Sequence, residues 1–287
     1  MKKHSLVVGT MTWGCWGSAL NTVEMANRIE GALELGLNRF DHADIYGDYT
    51  TEAEFGAALK QANVAREDIE LITKCGIQMT RGRANKVKHY QYDTAYIIES
   101  AEQSLKNLGT DYLDLFLLHR PSPLLDTEEV GLAVATLLDQ GKIKSFGLSN
   151  FLPHQVESVM RFAPVEANQI QCSITHTDSM YDGTLDQANH LNIEPMAWSP
   201  LGNLFKNPED EAVVRIRAVA ADLMKKYDTD LAGLALAFLA KHPSKISPVV
   251  GTTQINRLAD AKKGFEIALE LEDWFVLLEA AKGTRVP

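Results

Sequence analysis

The chain has 287 residues and a mass of 31.8 kDa, enough for one large domain or two average ones whose core needs no disulfide or metal. Its composition, 45% hydrophobic and 23% charged residues, excludes a disordered chain. Lysine and arginine number 28 against 38 aspartate and glutamate, and the formal charge of −10 disfavours nucleic acid and anionic membrane surfaces as partners.

Three sequence features bear on where the protein works. The densest apolar stretch, Leu231 to Ala240, is much shorter than the ~20 residues of a membrane-spanning helix. Lys2 and Lys3 are followed by too short an apolar run for a signal peptide. The three cysteines form no Cys-x-x-Cys pair. These features predict an unprocessed cytoplasmic protein with reduced thiols.

Short apolar runs alternate with segments of helical period along the whole chain. Eight runs are predicted as strands: Leu6 to Gly9, Asn38 to Asp41, Glu70 to Lys74, Tyr112 to His119, Ile143 to Ser149, Ala167 to Gln171, Glu194 to Trp198 and Ile246 to Val250. Eight alternations in this length predict an α/β fold, a single-domain (β/α)8 TIM barrel over residues 1–287.

Two helices have clear sequence boundaries. One is predicted to begin after an Asp93 cap and to stop at Gly109. The other is predicted from an Asp126 cap to Gly141, with Glu129 completing a capping box.

The carboxyl ends of barrel strands are where chemistry is expected. Asp41 and Tyr46 follow the second predicted strand, Lys74 ends the third and His119 ends the fourth. A lysine near a phenol should lower a phenol pKa that starts at ~10, and Asp41 should keep that lysine charged. His119 can hydrogen-bond a substrate oxygen. Together the four residues predict a proton-donating unit for reducing a carbonyl.

The string from Phe40 to Gly47, with Lys74, His119 and the run from Gly147 to Asn150, resembles the aldo/keto reductase superfamily. The similarity covers essentially the whole chain and is greatest to compact bacterial cytoplasmic members. It implies an NADPH-dependent reductase of a small aldehyde or ketone. Within that resemblance Tyr46 is the general acid, Asp41 and Lys74 tune it, and His119 orients the carbonyl.

The same resemblance implies a set of cofactor-binding residues. The nicotinamide carboxamide would be bound by Ser149, Asn150 and Gln169, and the ring would stack on Trp198. The pyrophosphate would lie along Ser199, Leu201 and Gly202. The 2'-phosphate would be held by Gly251, Thr252 and Arg257. Gly251 stands where many relatives have a lysine, which leaves Arg257 as the main cation for the phosphate.

Two other functions remain open from the residues alone. Asp41, His119, His176 and Asp178 could be the ligands of a metal-dependent barrel hydrolase. A barrel that binds NADPH could also act as a redox-sensing interaction protein with slow or no turnover. The intact set of Asp, Tyr, Lys and His favours turnover.

Several segments and side chains are predicted to lie around the four central residues, Asp41, Tyr46, Lys74 and His119. The basic segment 81–92 is predicted to be a solvated loop, with a flap over the substrate as the alternative. His42 and Asp44 are predicted to stabilise a turn. Aromatic walls for an apolar carbonyl are predicted from Trp13, Trp16, Tyr90 and Trp274.

Overall fold

A computed structural model describes residues 4–286 of the chain. These residues form two compact units, one of residues 7–169 and 251–255 and the other of residues 4–6, 170–250 and 256–286. The expectation of a single domain over residues 1–287 stays a prediction.

The strands in chain order are β1 (Val7–Gly9), β2 (Arg39–Asp41), β3 (Glu70–Cys75), β4 (Ile77–Gln78), β5 (His89–Tyr90), β6 (Leu115–Leu118), β7 (Phe146–Ser149), β8 (Ala167–Gln171), β9 (Glu194–Trp198) and β10 (Ser247–Val250). Eight of them form a closed barrel in the order β1, β10, β9, β8, β7, β6, β3, β2. The ladders β1–β2, β2–β3, β3–β6, β6–β7, β7–β8 and β9–β10 are parallel. The predicted (β/α)8 barrel is confirmed.

The helices between and after the strands are α1 (Thr22–Glu34), α2 (Thr51–Ala62), α3 (Thr94–Leu108), α4 (Thr127–Asp139), α5 (Pro153–Met160), α6 (Thr184–His190), α7 (Glu211–Lys226), α8 (Leu231–Ala240), α9 (Ile255–Phe265) and α10 (Leu271–Lys282). The apolar stretch from Leu231 is therefore a buried helix, α8. Among residues 4–286, no helix is long and apolar enough to cross a membrane.

Two predicted strands, the fourth and the fifth, are shorter in the structure by three residues or more. The fourth barrel strand begins at Leu115, because the Asp114 carboxylate, rather than a main-chain carbonyl, accepts the Leu71 N–H at 2.9 Å. Leu113 and Ile143 form only an isolated parallel bridge. The strand predicted from Ile143 accordingly begins at Phe146.

The two predicted helix starts are confirmed, but one capping interaction is wrong. Asp93 accepts the Tyr96 N–H at 3.0 Å, and Asp126 accepts the Glu128 N–H at 2.9 Å. Glu129 does not complete a capping box, since its carboxylate accepts the Thr94 N–H at 2.8 Å. A contact between α3 and α4 thus competes successfully with the local cap.

The basic segment after β3 is exposed, as predicted, but it is anchored by an antiparallel hairpin of β4 and β5. Arg83 donates to Gln78 Oε1 at 2.8 Å, and its guanidinium lies 4.2 Å from the centre of the Tyr49 ring. The hairpin is therefore attached to the segment that follows Tyr46.

One of the predicted wall aromatics, Trp13, is a core residue instead, and another, Trp274, packs against the core. Trp13 is fully buried, and its ring centre lies 6.4 Å from that of Phe40. In the other unit Trp274 stacks on Phe238 with ring centres 4.8 Å apart and donates to the Phe238 carbonyl at 2.9 Å. Large aromatic surface is stabilising when it is buried, and the partners of Trp13 bury it fully while those of Trp274 bury it in part.

We predict that Gly76→Ala lowers the free energy of unfolding by about 3 kcal/mol or more, because Gly76 has a φ of +111° and a Cβ there would lie 2.0 Å from the Tyr92 ring. Gly141→Ala is the matched control, with a φ of +68° and open space around it. It should cost only about 1 kcal/mol. Urea unfolding measures both, and equal losses would contradict the packing explanation.

His42 is a buried residue whose ring braces the end of β2. Its Nδ1 lies 2.8 Å from the Thr10 hydroxyl, which itself donates to the Asp41 carbonyl at 2.9 Å. His42 must therefore be the donor through Nδ1, and its buried Nε2 has no partner among the described residues. Burial, helped by the positive charge of Lys74, lowers the pKa of His42 to about 3. The ring is neutral in the folded protein.

We predict that His42 makes the protein less stable in mild acid. The pKa of His42 is 6.5 in the unfolded chain and about 3 in the folded protein. The free energy of unfolding is therefore unaffected by this group above pH 6.5 and decreases as the pH falls from 6.5 toward 3, because only the unfolded chain binds the proton. The loss should be roughly 1 kcal/mol for each pH unit. Urea unfolding between about pH 7 and pH 5 should have a shallower pH dependence in His42→Gln than in the parent. Exposed His154→Gln is the control, and parallel profiles for His42→Gln and the parent would refute the prediction.

Candidate active site

The strand ends of the unit formed by residues 7–169 and 251–255 bring the predicted catalytic residues together. β2 ends at Asp41, β3 carries Lys74 and β6 is followed by His119. The parallel register pairs Asp41 with Ile72 and Lys74 with Leu117, so these ends lie at one edge of the sheet. Tyr46 lies in the turn after β2.

Lys74 is the centre of the arrangement. Its side chain is fully buried, and Nζ lies 2.8 Å from each Asp41 carboxylate oxygen, 2.6 Å from the His42 carbonyl and 3.3 Å from the Tyr46 hydroxyl. Burial would lower the pKa of Lys74, but Asp41 and Tyr46 raise it above its ordinary value overall. Lys74 is therefore a charged ammonium whose three protons all have acceptors.

The effect on Tyr46 differs from the sequence expectation. Burial raises the pKa of Tyr46, and the charge of Lys74 opposes this increase without overcoming it. The expected net lowering of the phenol pKa is therefore wrong, because desolvation of a buried phenolate outweighs one neighbouring cation. At neutral pH Tyr46 carries its proton and can donate it.

His119 is half-buried, and its ring centre lies 6.3 Å from that of Tyr46 in an edge-to-face arrangement. Burial, followed by the charges of Lys74 and Arg120, lowers the pKa of His119 well below its ordinary value. Its Nδ1 is buried and has no partner within residues 4–286. A neutral imidazole has one N–H to donate, which suits a carbonyl oxygen.

An apolar cluster supports Tyr46. It contains Ala43, Ile45, Tyr46 and Ile77, with Trp16, Tyr49 and Met79 packed against it. Trp16 donates from Nε1 to Asp48 at 3.0 Å, and its ring centre lies 6.1 Å from that of Tyr46. Trp16 is therefore the predicted wall residue that lies beside the Tyr46 phenol.

Three of the predicted cofactor residues belong to the same unit and are linked to one another. Asn150 donates from Nδ2 to the Ser149 hydroxyl at 2.8 Å, and that hydroxyl donates to the Gln169 carbonyl at 2.9 Å. The Gln169 side chain donates from Nε2 to Asp41 at 2.8 Å. The sequence did not predict this last bond, which joins the residues assigned to the cofactor with those assigned to catalysis.

The segment predicted to hold a phosphate has an additional basic neighbour. Thr252 accepts the Gln254 N–H through its hydroxyl oxygen at 3.2 Å, so its own O–H is available to donate. Gly251 is exposed with open space around it. Arg28, on α1, donates from Nε to the Thr253 carbonyl at 2.6 Å. Sequence reasoning missed Arg28, because its spacing on α1 gives no sign that it contacts residues so far along the chain.

The other unit contains the remaining predicted cofactor residues. Trp198 ends β9 and Ser199 follows it with a φ of 49°, while Leu201 packs against the core of this unit. Gly202 has a φ of 52°, and a Cβ there would lie 1.9 Å from Thr175 Oγ1. Arg257 is exposed in the first turn of α9.

The metal-site alternative lacks its ligand cluster in this structure. The distance from His176 Nε2 to Asp178 Oδ2 is 3.9 Å, and the Asp41 carboxylate is paired with the Lys74 ammonium. Within the part of the chain that the structure describes, no group of three or more His, Cys, Asp or Glu residues is arranged to hold a metal ion.

Comparisons with known proteins agree with the resemblance. The model of the aldo/keto reductase family matches residues 5–280. The 6-dehydroglucose reductase of Agrobacterium fabrum is 37% identical over 98% of this chain and 97% of that protein. Oxidoreductase YdhF of Escherichia coli is 39% identical over 96% of this chain and 93% of that protein. The structure of a thermostable aldo-keto reductase, Tm1743, in complex with the inhibitor epalrestat has a TM-score of 0.81 and 26% identity, covering 96% of this chain and 94% of that one.

The family match includes strands and helices of both units, and the relatives align over nearly their entire lengths. The closed parallel barrel agrees with the similarity to the Tm1743 structure. The chain therefore belongs to the aldo/keto reductase family and is an NAD(P)H-dependent oxidoreductase that reduces a carbonyl group.

Proposed function

We propose that the protein is a cytoplasmic, single-domain enzyme that uses NADPH to reduce a small aldehyde or ketone to an alcohol, with the proton supplied by Tyr46. The observation that carries this proposal is the buried ammonium of Lys74, paired with Asp41 at 2.8 Å and 3.3 Å from the Tyr46 hydroxyl. Burying an ammonium costs free energy even when it is paired, and stabilising a phenolate on Tyr46 would give this charge a function.

The bound nicotinamide would supply the hydride to the carbonyl carbon. As negative charge develops on the carbonyl oxygen, Tyr46 gives its proton to that oxygen. The phenolate that remains lies beside the Lys74 ammonium, which reduces the cost of forming it. Asp41 keeps Lys74 charged, and neutral His119 donates one N–H to the same carbonyl oxygen.

The chemistry of the predicted cofactor residues fits a nicotinamide nucleotide. The amides of Asn150 and Gln169 with the Ser149 hydroxyl match the donors and acceptors of a carboxamide. Trp198 offers an aromatic face for the ring. The pyrophosphate and 2'-phosphate are assigned to the rest of the set: Ser199, Leu201, Gly202, Gly251, Thr252 and Arg257.

The names of the relatives suggest the first substrate to test. Proteins of Agrobacterium fabrum and Novosphingobium aromaticivorans, 37% and 31% identical to this chain, are named 6-dehydroglucose reductase. We propose that the purified protein binds NADPH, measured by cofactor fluorescence, and that 6-dehydroglucose or another small carbonyl compound oxidises the bound cofactor. A protein that binds neither NADPH nor NADH would contradict the proposal.

We predict that Tyr46→Phe and Lys74→Met each lower kcat by roughly 100-fold to 10,000-fold, the effect of a positioned general acid. The double variant should be scarcely slower than either single variant, because two residues that act as one unit are not additive. Steady-state kinetics on all four proteins measures this. Losses that add in log kcat would show that the two residues act separately.

We predict that Arg257→Ala weakens NADPH binding by about tenfold or more and leaves NADH binding nearly unchanged, because a charge-assisted contact with the 2'-phosphate is worth ~1.5 to 3 kcal/mol. Arg28→Ala is the matched comparison, since Arg28 already donates to the Thr253 carbonyl. Fluorescence titration gives both dissociation constants. If Arg257→Ala loses affinity equally for NADPH and NADH, Arg257 does not bind the 2'-phosphate. If only Arg28→Ala loses affinity selectively for NADPH, Arg28 binds that phosphate instead.

A further inference from the structure

The side chain of Gln169 contacts the buried ion pair. Gln169 is 3% exposed, and its Nε2 lies 2.8 Å from Asp41 Oδ1, the same oxygen that accepts from Lys74 Nζ at 2.8 Å. A carboxylate paired with an ammonium has no proton to give, so the group of Gln169 that faces Asp41 must be the N–H donor. This fixes the orientation of the amide and turns Oε1 away from Asp41.

The main chain of Gln169 is fixed as firmly as its side chain. Its carbonyl accepts from the Ser149 hydroxyl at 2.9 Å and from the Asn150 N–H at 2.8 Å, and Ser149 pairs with Gln169 in the register of β7 and β8. Rotation of the amide would break a bond to a buried charge, which is among the stronger hydrogen bonds in a protein. Gln169 is therefore a rigid link between β7, β8 and the end of β2.

We infer that Gln169 is a positioning residue that couples cofactor binding to the Asp41 and Lys74 pair. Its Nε2 holds Asp41, and its Oε1 accepts an N–H of the nicotinamide carboxamide. This inference rests on the proposed nicotinamide site.

The coupling has a definite direction. An amide that accepts a hydrogen bond at its oxygen becomes a stronger donor at its nitrogen. Binding the carboxamide therefore strengthens the bond from Gln169 to Asp41. Asp41 then attracts Lys74 less strongly, and Lys74 is freer to stabilise the Tyr46 phenolate. Lys74 would therefore stabilise the Tyr46 phenolate more strongly when the nicotinamide site is filled.

Three variants separate this role from simple cofactor binding. Gln169→Leu removes both bonds of the amide. Gln169→Glu keeps an oxygen for the carboxamide but loses the donor to Asp41. Asn168→Leu is the matched control, because Asn168 is the neighbouring buried amide of β8 and donates to the Phe151 carbonyl at 2.8 Å instead. Urea unfolding establishes which variants are folded. If one of the two Gln169 variants does not fold, the other still tests the inference.

The first readout does not depend on activity or on cofactor. In protein with 15N-labelled lysine, the Nζ resonance of Lys74, assigned by its loss in Lys74→Met, reports the environment of the ammonium. Without cofactor it should shift in Gln169→Leu and in Gln169→Glu and stay in place in Asn168→Leu. An unshifted Lys74 resonance in the folded Gln169 variants would overturn the inference.

The second readout tests whether Gln169 accepts a hydrogen bond from the nicotinamide carboxamide, as the coupling requires. An NADPH analogue with an acetyl group in place of the carboxamide has no N–H for Gln169 to accept. The parent should bind NADPH about tenfold more tightly than the analogue, and Gln169→Leu should bind the two about equally. Equal discrimination by both proteins would overturn the coupling. If the parent binds neither nucleotide, the proposed function fails, and the Lys74 resonance without cofactor still decides whether Gln169 holds Asp41.

Discussion

The interaction on which the site depends is the ion pair of Lys74 and Asp41 in the interior of the barrel. Lys74 has no exposed surface, and removing an ammonium from water costs several kcal/mol unless its protons find good acceptors. The Asp41 carboxylate, the His42 carbonyl and the Tyr46 hydroxyl provide them. The position of the Tyr46 hydroxyl and the charge beside it are therefore set by the same contacts.

Two buried titratable residues, His42 and Asp44, follow Asp41 in the chain. Burial, with the charge of Lys74, lowers the pKa of His42 to about 3, so no second cation forms on that side. Burial, with the negative charge of Glu52, raises the pKa of Asp44 well above its usual range, and both its oxygens lack partners among the described residues. That His42 and Asp44 stabilise the turn after β2 stays a prediction.

The sequence predicted the barrel and the four central side chains because both depend on local patterns. Apolar runs mark strands, and residues at the carboxyl ends of neighbouring parallel strands must lie close together. Contacts between distant residues gave no such signal. Glu129 bonds to a residue 35 positions away, Gln169 to one 128 positions away and Arg28 to one 225 positions away. The direction of the Tyr46 pKa was also missed, since desolvation depends on burial that a sequence does not state.

The pH dependence of the reverse reaction, oxidation of the alcohol product with NADP+, tests most directly whether Lys74 stabilises the Tyr46 phenolate. In the proposed mechanism the phenolate is the base in that direction, so the rising limb of the kcat profile should report the pKa of Tyr46 in the complex. The profile of Lys74→Met should have its rising limb at higher pH than that of the parent, because the phenolate loses its cation. A limb at the same pH in both proteins would contradict the account.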